Sequence, residues 1–202
     1  MAYIHQINAM DFENSFQEGG FRHDKQSKLP VGAVVSVFVN YCSFHCLGCW
    51  NSDTWDRKDD LFVEDEKVAN DIIESLEQFD LEPAIGLSIL GGDPILPQNA
   101  ESTANIIRLV LEKKPNIVIG LWTGYKFEYL LKKMDENQKY ILEHIDVIID
   151  GQFVQGKKIA NKRYGSYNQR VINVPKSLKE GQTVVTESYK KDIDDFPIDK
   201  SK

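Results

Sequence analysis

Four short runs of apolar residues punctuate the chain, at 33–39, 85–90, 117–122 and 145–149. They are rich in Val and Ile and nearly unbroken, the pattern of strands buried on both faces. Between them, apolar residues recur at helical spacing. Val68, Ile72, Ile73, Leu76 and Phe79 share one face of a first helix. Ala100, Ala104, Ile107 and Leu111 share a face of a second, with Asn99 as its expected N-cap. Phe127, Leu130, Leu131 and Met134 open a third. Strand and helix alternate. The alternation predicts an α/β fold with right-handed crossovers, a mostly parallel sheet and helices outside it. Residues 170–174 are expected to add a fifth strand.

The ends break this pattern. Residues 15–30 are polar, include Gly19 and Gly20, and read as a loop insertion. Residues 176–202 are highly charged with little apolar periodicity, and read as a mobile or loosely docked tail. A single domain over 1–175 is left. Of the 202 residues, 42% are hydrophobic and 27% charged, enough for one domain to bury a core without staples. The net charge of −7 argues against a general binder of nucleic acid or anionic membrane, which needs a positive footprint. No apolar run approaches the length of a membrane span. Residues 1–11 lack a basic stretch followed by an apolar one, so no export signal is expected and a cytoplasmic location follows by default.

A parallel sheet places its ligand site at the C-terminal ends of its strands. The residues with the most chemistry gather there. Cys42, Cys46 and Cys49 follow the first strand, and Gly91-Gly92-Asp93-Pro94 the second. Thr123-Gly124-Tyr125 follows the third, and Asp150-Gly151 the fourth.

The chain has only three cysteines, spaced C-x3-C-x2-C. An odd number within eight residues is no disulfide framework. Clustered thiols in a reducing compartment bind metal or do chemistry more often than they sit inert in a core. Thiolates suit iron–sulfur clusters or zinc. Three of them can hold three irons of a cubane and leave the fourth open to a substrate. In a zinc site His45 could join them, although it sits awkwardly beside Cys46; His5, His23 or His144 are the other candidates. A second C-x2-C knuckle, usual in zinc modules, is missing. The remaining candidates each have a plainer reading. Gly91-Gly92-Asp93-Pro94 is good turn material. The Thr123 hydroxyl could be satisfied by its own turn, Asp150 could cap a turn before Gly151, and Trp50 could be a core aromatic.

The cysteine loop placed directly after a first strand resembles that of the radical S-adenosylmethionine (SAM) superfamily. Gly91-Gly92-Asp93-Pro94 is similar to the superfamily's Gly-Gly-Glu-Pro turn, with Asp in place of Glu. The resemblance implies a partial (β/α) barrel. It implies a [4Fe–4S] cluster on Cys42, Cys46 and Cys49, with the fourth iron chelated by the amino and carboxylate groups of SAM. One electron from the reduced cluster would then cleave the sulfonium C–S bond, and the 5′-deoxyadenosyl radical would abstract a hydrogen atom. Gly48, Cys49, Trp50 and Asn51 would line the cluster pocket. Gly91, Gly92 and Asp93 would face the SAM ammonium, since a glycine turn brings carbonyls close and a carboxylate adds charge. Thr123 would reach the SAM carboxylate or ribose, and Asp150 would orient SAM or bind a cation.

Within the superfamily the chain resembles the activating proteins of anaerobic (class III) ribonucleotide reductases over about 33–174. The stretches that carry this are 42–55, 87–99, 121–125, Asp150-Gly-Gln-Phe-Val-Gln155 and Arg163-Tyr-Gly-Ser-Tyr-Asn-Gln-Arg170. The implied substrate is the large subunit of the reductase, losing a Cα hydrogen from a glycine near its C-terminus. The implied electron donor is a flavodoxin or ferredoxin. Residues 165–169, with Arg163 and Arg170, would contact the partner, close the site, or form a simple turn. The chain departs from the family in two places. The Asn-Gly-Pro-Gly common before the first strand is replaced after Asp11 and Asn14 by Ser15-Phe16, and the tail is long. Both bear on partner docking rather than on the cluster.

Overall fold

The computed structural model describes residues 2–11, 33–78, 85–159, 162 and 164–194. The expected insertion at 15–30, Phe79, His23, Arg163 and the last eight residues lie outside them. Seven strands form one sheet: β1 (Ala2–Asp11), β2 (Ala33–Val39), β3 (Phe62–Val63), β4 (Ile85–Gly91), β5 (Val118–Thr123), β6 (Val147–Asp150) and β7 (Arg170–Asn173), in the order β3-β1-β2-β4-β5-β6-β7. The four runs expected as buried strands are its parallel centre, β2-β4-β5-β6. The fifth expected strand, β7, is antiparallel to β6. On the other side β1 runs antiparallel to β2 and pairs with the short β3. Neither β1 nor β3 stands out in the apolar pattern, because β1 mixes polar and apolar residues and β3 has only two.

Helices α1 (Asp65–Glu77), α2 (Pro97–Lys113), α3 (Phe127–Lys132) and α4 (Glu136–His144) follow the strands, with α5 (Val174–Glu180) and α6 (Glu187–Asp194) near the end. Their apolar stripes cover one face of the sheet. Ile72 and Leu76 from α1, Ala104 and Ile107 from α2, and Ile141 from α4 are buried there with Val35, Val37, Leu87, Ile89, Ile119, Leu121 and Ile148. Burying one such side chain is worth about 1.5–3 kcal/mol, so this face dominates the fold's stability. The opposite face carries a smaller cluster, with Val34, Val118, Val147, Ile149 and Val171 beneath Ile159, Tyr164 and Tyr189.

Two expectations need correction. Asn99 is not the N-cap of α2. Pro97, whose fixed φ suits a first helical position, starts the helix earlier, and Leu96 precedes it as the cap. The region predicted as a loose tail carries α5 and α6. The Asn173 side chain accepts the Lys176 N–H at one end of α5, and Gly181 closes the other in the left-handed conformation at φ 65°. Asn173 N–H donates to Val184 O and Thr186 N–H to Val171 O, stitching the segment along β7. Tyr189 is buried, and its hydroxyl donates to the Gln169 carbonyl. Isolated contacts such as Tyr189 anchor charged sequence without leaving a periodic trace. No helix among the described residues is long and apolar enough to cross a membrane.

Candidate active site

Parallel register puts the ends of β2, β4, β5 and β6 along one edge. The Val39–Gly91 and Thr123–Asp150 pairs are the last rungs of their ladders. The candidate residues therefore occupy final strand positions and the turns just after them. A cavity of about 240 Å³ opens at this edge. Cys42, Cys46, Cys49, Trp50 and Asn51 form one wall. Gly91, Gly92, Asp93 and Thr123 form another. Leu90, Trp122 and Phe153, none of them a candidate site residue in the sequence, line it too. Phe153 had a signal, as part of the 150–155 stretch. Leu90 and Trp122 belong to the 87–99 and 121–125 stretches in the same way.

The cysteine loop is held at both ends by backbone. Tyr41 N–H donates to Thr54 O (2.7 Å) and Cys42 N–H to Trp55 O (3.0 Å). Between them the chain turns through left-handed residues at Tyr41 (φ 84°), His45 (φ 44°) and Gly48 (φ 74°). His45 does not face the thiols' cavity; it stacks on Trp55 at 4.9 Å. His144 is engaged on α4, where its ring stacks on Tyr140 and its Nδ1 lies 2.7 Å from the Tyr140 carbonyl. His23 and the His5 side chain lie outside the described residues. The three cysteines are half-buried, and burial pushes the Cys42 thiol up to about 11 and raises that of Cys46. Among the described residues no three His, Cys, Asp or Glu are drawn together tightly enough to hold one ion. The thiols border a space rather than a point. A cubane fits such an arrangement, because each thiolate takes a different iron and soft sulfur suits that metal.

The glycine turn is joined to the cysteine loop. Gly92 N–H donates to Val39 O (2.7 Å) and Asp93 N–H to Tyr41 O (3.0 Å). Buried Asn99 completes the joint, its side-chain amide donating to the carbonyls of Asn40 (3.1 Å), Tyr41 (3.1 Å) and Asp93 (2.9 Å). This is what the early start of α2 achieves. Phe44, from the cysteine loop, packs on Gly124 and meets Tyr125 edge-on at 5.1 Å.

Asp93 is almost fully buried, and burial pushes its carboxyl up to about 6 against the pull of its donors. Its Oδ2 accepts from the Thr123 hydroxyl (2.9 Å) and Gly124 N–H (2.8 Å), and its Oδ1 from Ile95 N–H (3.1 Å). The Thr123 hydroxyl also accepts from Tyr125 N–H (3.1 Å). Thr123 thus spends its one proton on Asp93 rather than turning it toward the cavity.

Residues 31–172 match the family model described as a 4Fe-4S single cluster domain. Over 143 residues the chain is 37% identical to the anaerobic ribonucleoside-triphosphate reductase-activating protein of Enterobacteria phage T4, an alignment that covers 69% of this chain and 83% of that protein. The chain belongs to this family of activating proteins. The protein of the same name from Vibrio cholerae is 33% identical over 139 residues (68% of this chain, 86% of that one), and that from Escherichia coli K12 is 32% identical over 141 (69% and 88%).

In this member of the activating-protein family, Asp150 and residues 165–170 form a hydrogen-bonded support beside the cavity. Asp150 is buried and its oxygens are occupied. It pairs with the Arg170 guanidinium, accepts Phe127 N–H (2.9 Å), and lies 3.7 Å from the Lys126 ammonium. Asp150, open in the sequence to a cofactor or cation contact or to a turn cap, is engaged in an internal ion pair. The Gln169 amide accepts Gly165 N–H (2.9 Å) and donates to Gly151 O (2.8 Å), tying the Gly-Ser-Tyr-Asn-Gln turn to the cavity wall.

Arg170 also forks onto Glu128 with two bonds of 2.8 Å, and Thr183 donates to the same carboxylate (2.6 Å). These bonds, Arg170 first, hold the Glu128 carboxyl well down, at about 2. The folded pKa is depressed below its ordinary 4.5. The pair's stabilisation is therefore complete above that value and is lost as pH falls toward 2. Urea titrations between pH 6 and pH 3 should show the wild type losing stability relative to Glu128→Gln across this window. Parallel curves would refute the assignment.

Proposed function

We propose that the chain activates an anaerobic ribonucleotide reductase by radical SAM chemistry, on a sheet that acts as a partial (β/α) barrel. The single observation that carries this is the shared cavity. One wall presents the three thiols and the other presents Gly91, Gly92 and Asp93. The names of the relatives supply the target. Cys42, Cys46 and Cys49 would hold three irons of a [4Fe–4S] cluster, and SAM would complete the fourth. When bound, these groups supply reductive C–S cleavage and removal of a hydrogen atom from a glycine Cα of the reductase.

The protein's own part is placement. Gly91 and Gly92 let backbone carbonyls approach an ammonium group without a Cβ in the way. Asp93 offers a carboxylate that a nearby cation would favour in its charged form. Thr123 and Gly124 fix that carboxylate, so Thr123 is a positioning residue. Trp50, Trp122 and Phe153 give the cavity apolar walls that limit water. The Asp150–Arg170 support keeps the wall in place while a substrate glycine enters.

The test is anaerobic reconstitution with iron and sulfide, reduction, and addition of SAM with the partner reductase. The expected products are 5′-deoxyadenosine and a glycyl-radical EPR doublet. A fully loaded cluster that yields no 5′-deoxyadenosine overturns the proposal. Deoxyadenosine without a doublet would keep the chemistry and reject the partner.

A further inference from the structure

No step of the chemistry proposed above uses the turn Gly165-Ser166-Tyr167-Asn168-Gln169, yet its side chains converge on one neighbouring segment. The Gln169 amide donates to Gly151 O (2.8 Å), the Asn168 amide donates to Gln152 O (2.7 Å), and the Ser166 hydroxyl accepts Val154 N–H (3.2 Å). Residues 151–154 follow β6 and belong to no helix or strand. A backbone without a ladder of its own has its polar groups satisfied, and its position fixed, by such bonds. The turn is itself held. Gln169 Oε1 accepts Gly165 N–H (2.9 Å) and Ser166 N–H (3.1 Å), and Ser166 and Gln169 are both buried.

The segment so held lies against the cysteine loop. Phe153 lines the cavity with Cys46 and Cys49, and its ring is 6.4 Å from that of Trp50. The Gln155 side chain sits 3.1 Å from where a Gly48 Cβ would be, and the Phe153 ring 3.0 Å from where a Gly165 Cβ would be. Phe153 is thus packed between the turn and the loop. Its N–H donates to the Cys46 sulfur. The other two thiols take donors from the loop itself: Phe44 and His45 N–H for Cys42, and Asn51 N–H, at 3.4 Å, for Cys49. Cys46 differs in taking a donor from a distant part of the chain.

An N–H aimed at a cysteine sulfur favours the form with more negative charge on that sulfur. For a free thiol that form is the thiolate. For a cluster it is the reduced state, and hydrogen bonds to the sulfurs are among the features that set a cluster's reduction potential. The donors to Cys42 and Cys49 come with the fold of the cysteine loop. The donor to Cys46 depends on where residues 151–154 lie, and so on the turn that holds them.

We propose that the Gly-Ser-Tyr-Asn-Gln turn is a positioning clamp: through Ser166, Asn168 and Gln169 it holds the Phe153 N–H on the Cys46 sulfur, and this bond raises the reduction potential of the cluster. This rests on the reading of the cysteine loop as a cluster site. Ser166, Asn168 and Gln169 are positioning residues. They touch neither thiol nor substrate in this role and act through the backbone of residues 151–154.

The test is the midpoint potential of the reconstituted full chain, titrated anaerobically with mediator dyes and without SAM. Phe153→Pro removes the N–H, whereas Phe153→Ala keeps it. At a fixed potential Phe153→Pro should shift the cluster about tenfold toward the oxidised form, which is a midpoint lower by about 59 mV for a one-electron couple. Phe153→Ala should not lower it. Ser166 does not line the cavity, so Ser166→Ala alters the clamp and leaves the walls intact. It should lower the midpoint by a smaller amount, and should lower it no further when added to Phe153→Pro, because both act through one bond. If Phe153→Pro fails to load iron, Ser166→Ala decides alone. Wild-type midpoints in both variants overturn the proposal. So does a Phe153→Ala midpoint as low as that of Phe153→Pro, which would assign the effect to the side chain. A wild type that takes up no cluster overturns the proposal together with the reading it rests on. A normal midpoint without 5′-deoxyadenosine once SAM is added overturns the SAM chemistry and leaves the clamp standing.

Discussion

A Cys46→Ala variant, reconstituted anaerobically beside the wild type, is expected to stay colourless and to form neither 5′-deoxyadenosine nor a glycyl radical. Cys46 sits mid-loop with its thiol on the cavity wall, and no spare cysteine exists to replace it. Losing residues that merely orient a ligand typically costs 10–100-fold in affinity or activity; losing a direct ligand should cost more. The exposed Ser43 is the control, because Ser43→Ala keeps all three thiols and should keep the brown colour. Burial holds the Cys42 thiol at about 11 in the metal-free chain. Binding must therefore release a proton from it, and loading should slow as pH is lowered. A Cys46→Ala protein that takes up four irons and bleaches in air would refute the assignment of the ligands.

The parallel centre of the sheet, the edge on which the site lies and the cysteine loop were all legible in the sequence. Each leaves a local mark: unbroken Val and Ile runs, or thiols at fixed spacing. The antiparallel margins were not legible, because β1 pairs with β2 across 21 intervening residues and has no apolar period of its own. The parts of the site that went unread are those built from long-range polar contacts. Asn99 looked like a helix cap, but its amide reaches across 59 residues to Asn40. Thr123 and Asp150 each read as either a ligand or a turn residue, and their oxygens bond Asp93 and Arg170. Hydroxyls and carboxylates at strand ends carry the same letters whether they meet a cofactor or each other, and only the fold tells which.

That same long-range joint leaves no room for a side chain at Gly92. A Cβ on Gly92 would lie 2.4 Å from the Tyr41 carbonyl oxygen and 2.9 Å from its carbon, both backbone atoms. Tyr41 has little room to yield. It sits at positive φ, its N–H is bonded to Thr54, and its oxygen accepts from Asp93 N–H and the Asn99 amide. Relieving the clash means overpacking at about 1–3 kcal/mol and giving up bonds worth about 1 kcal/mol each. Gly92→Ala should therefore lose about 3 kcal/mol, or about 6–12 °C in melting temperature for a chain of this size. Cluster loading should fall as well, since the strained contact is with the residue just before Cys42. Gly156→Ala is the matched comparison: a Cβ there meets nothing within 4 Å, so its melting temperature should be unchanged or slightly raised. If Gly92→Ala melts with the wild type and loads iron equally well, the close approach of the two loops is not what holds the cysteines at the strand edge.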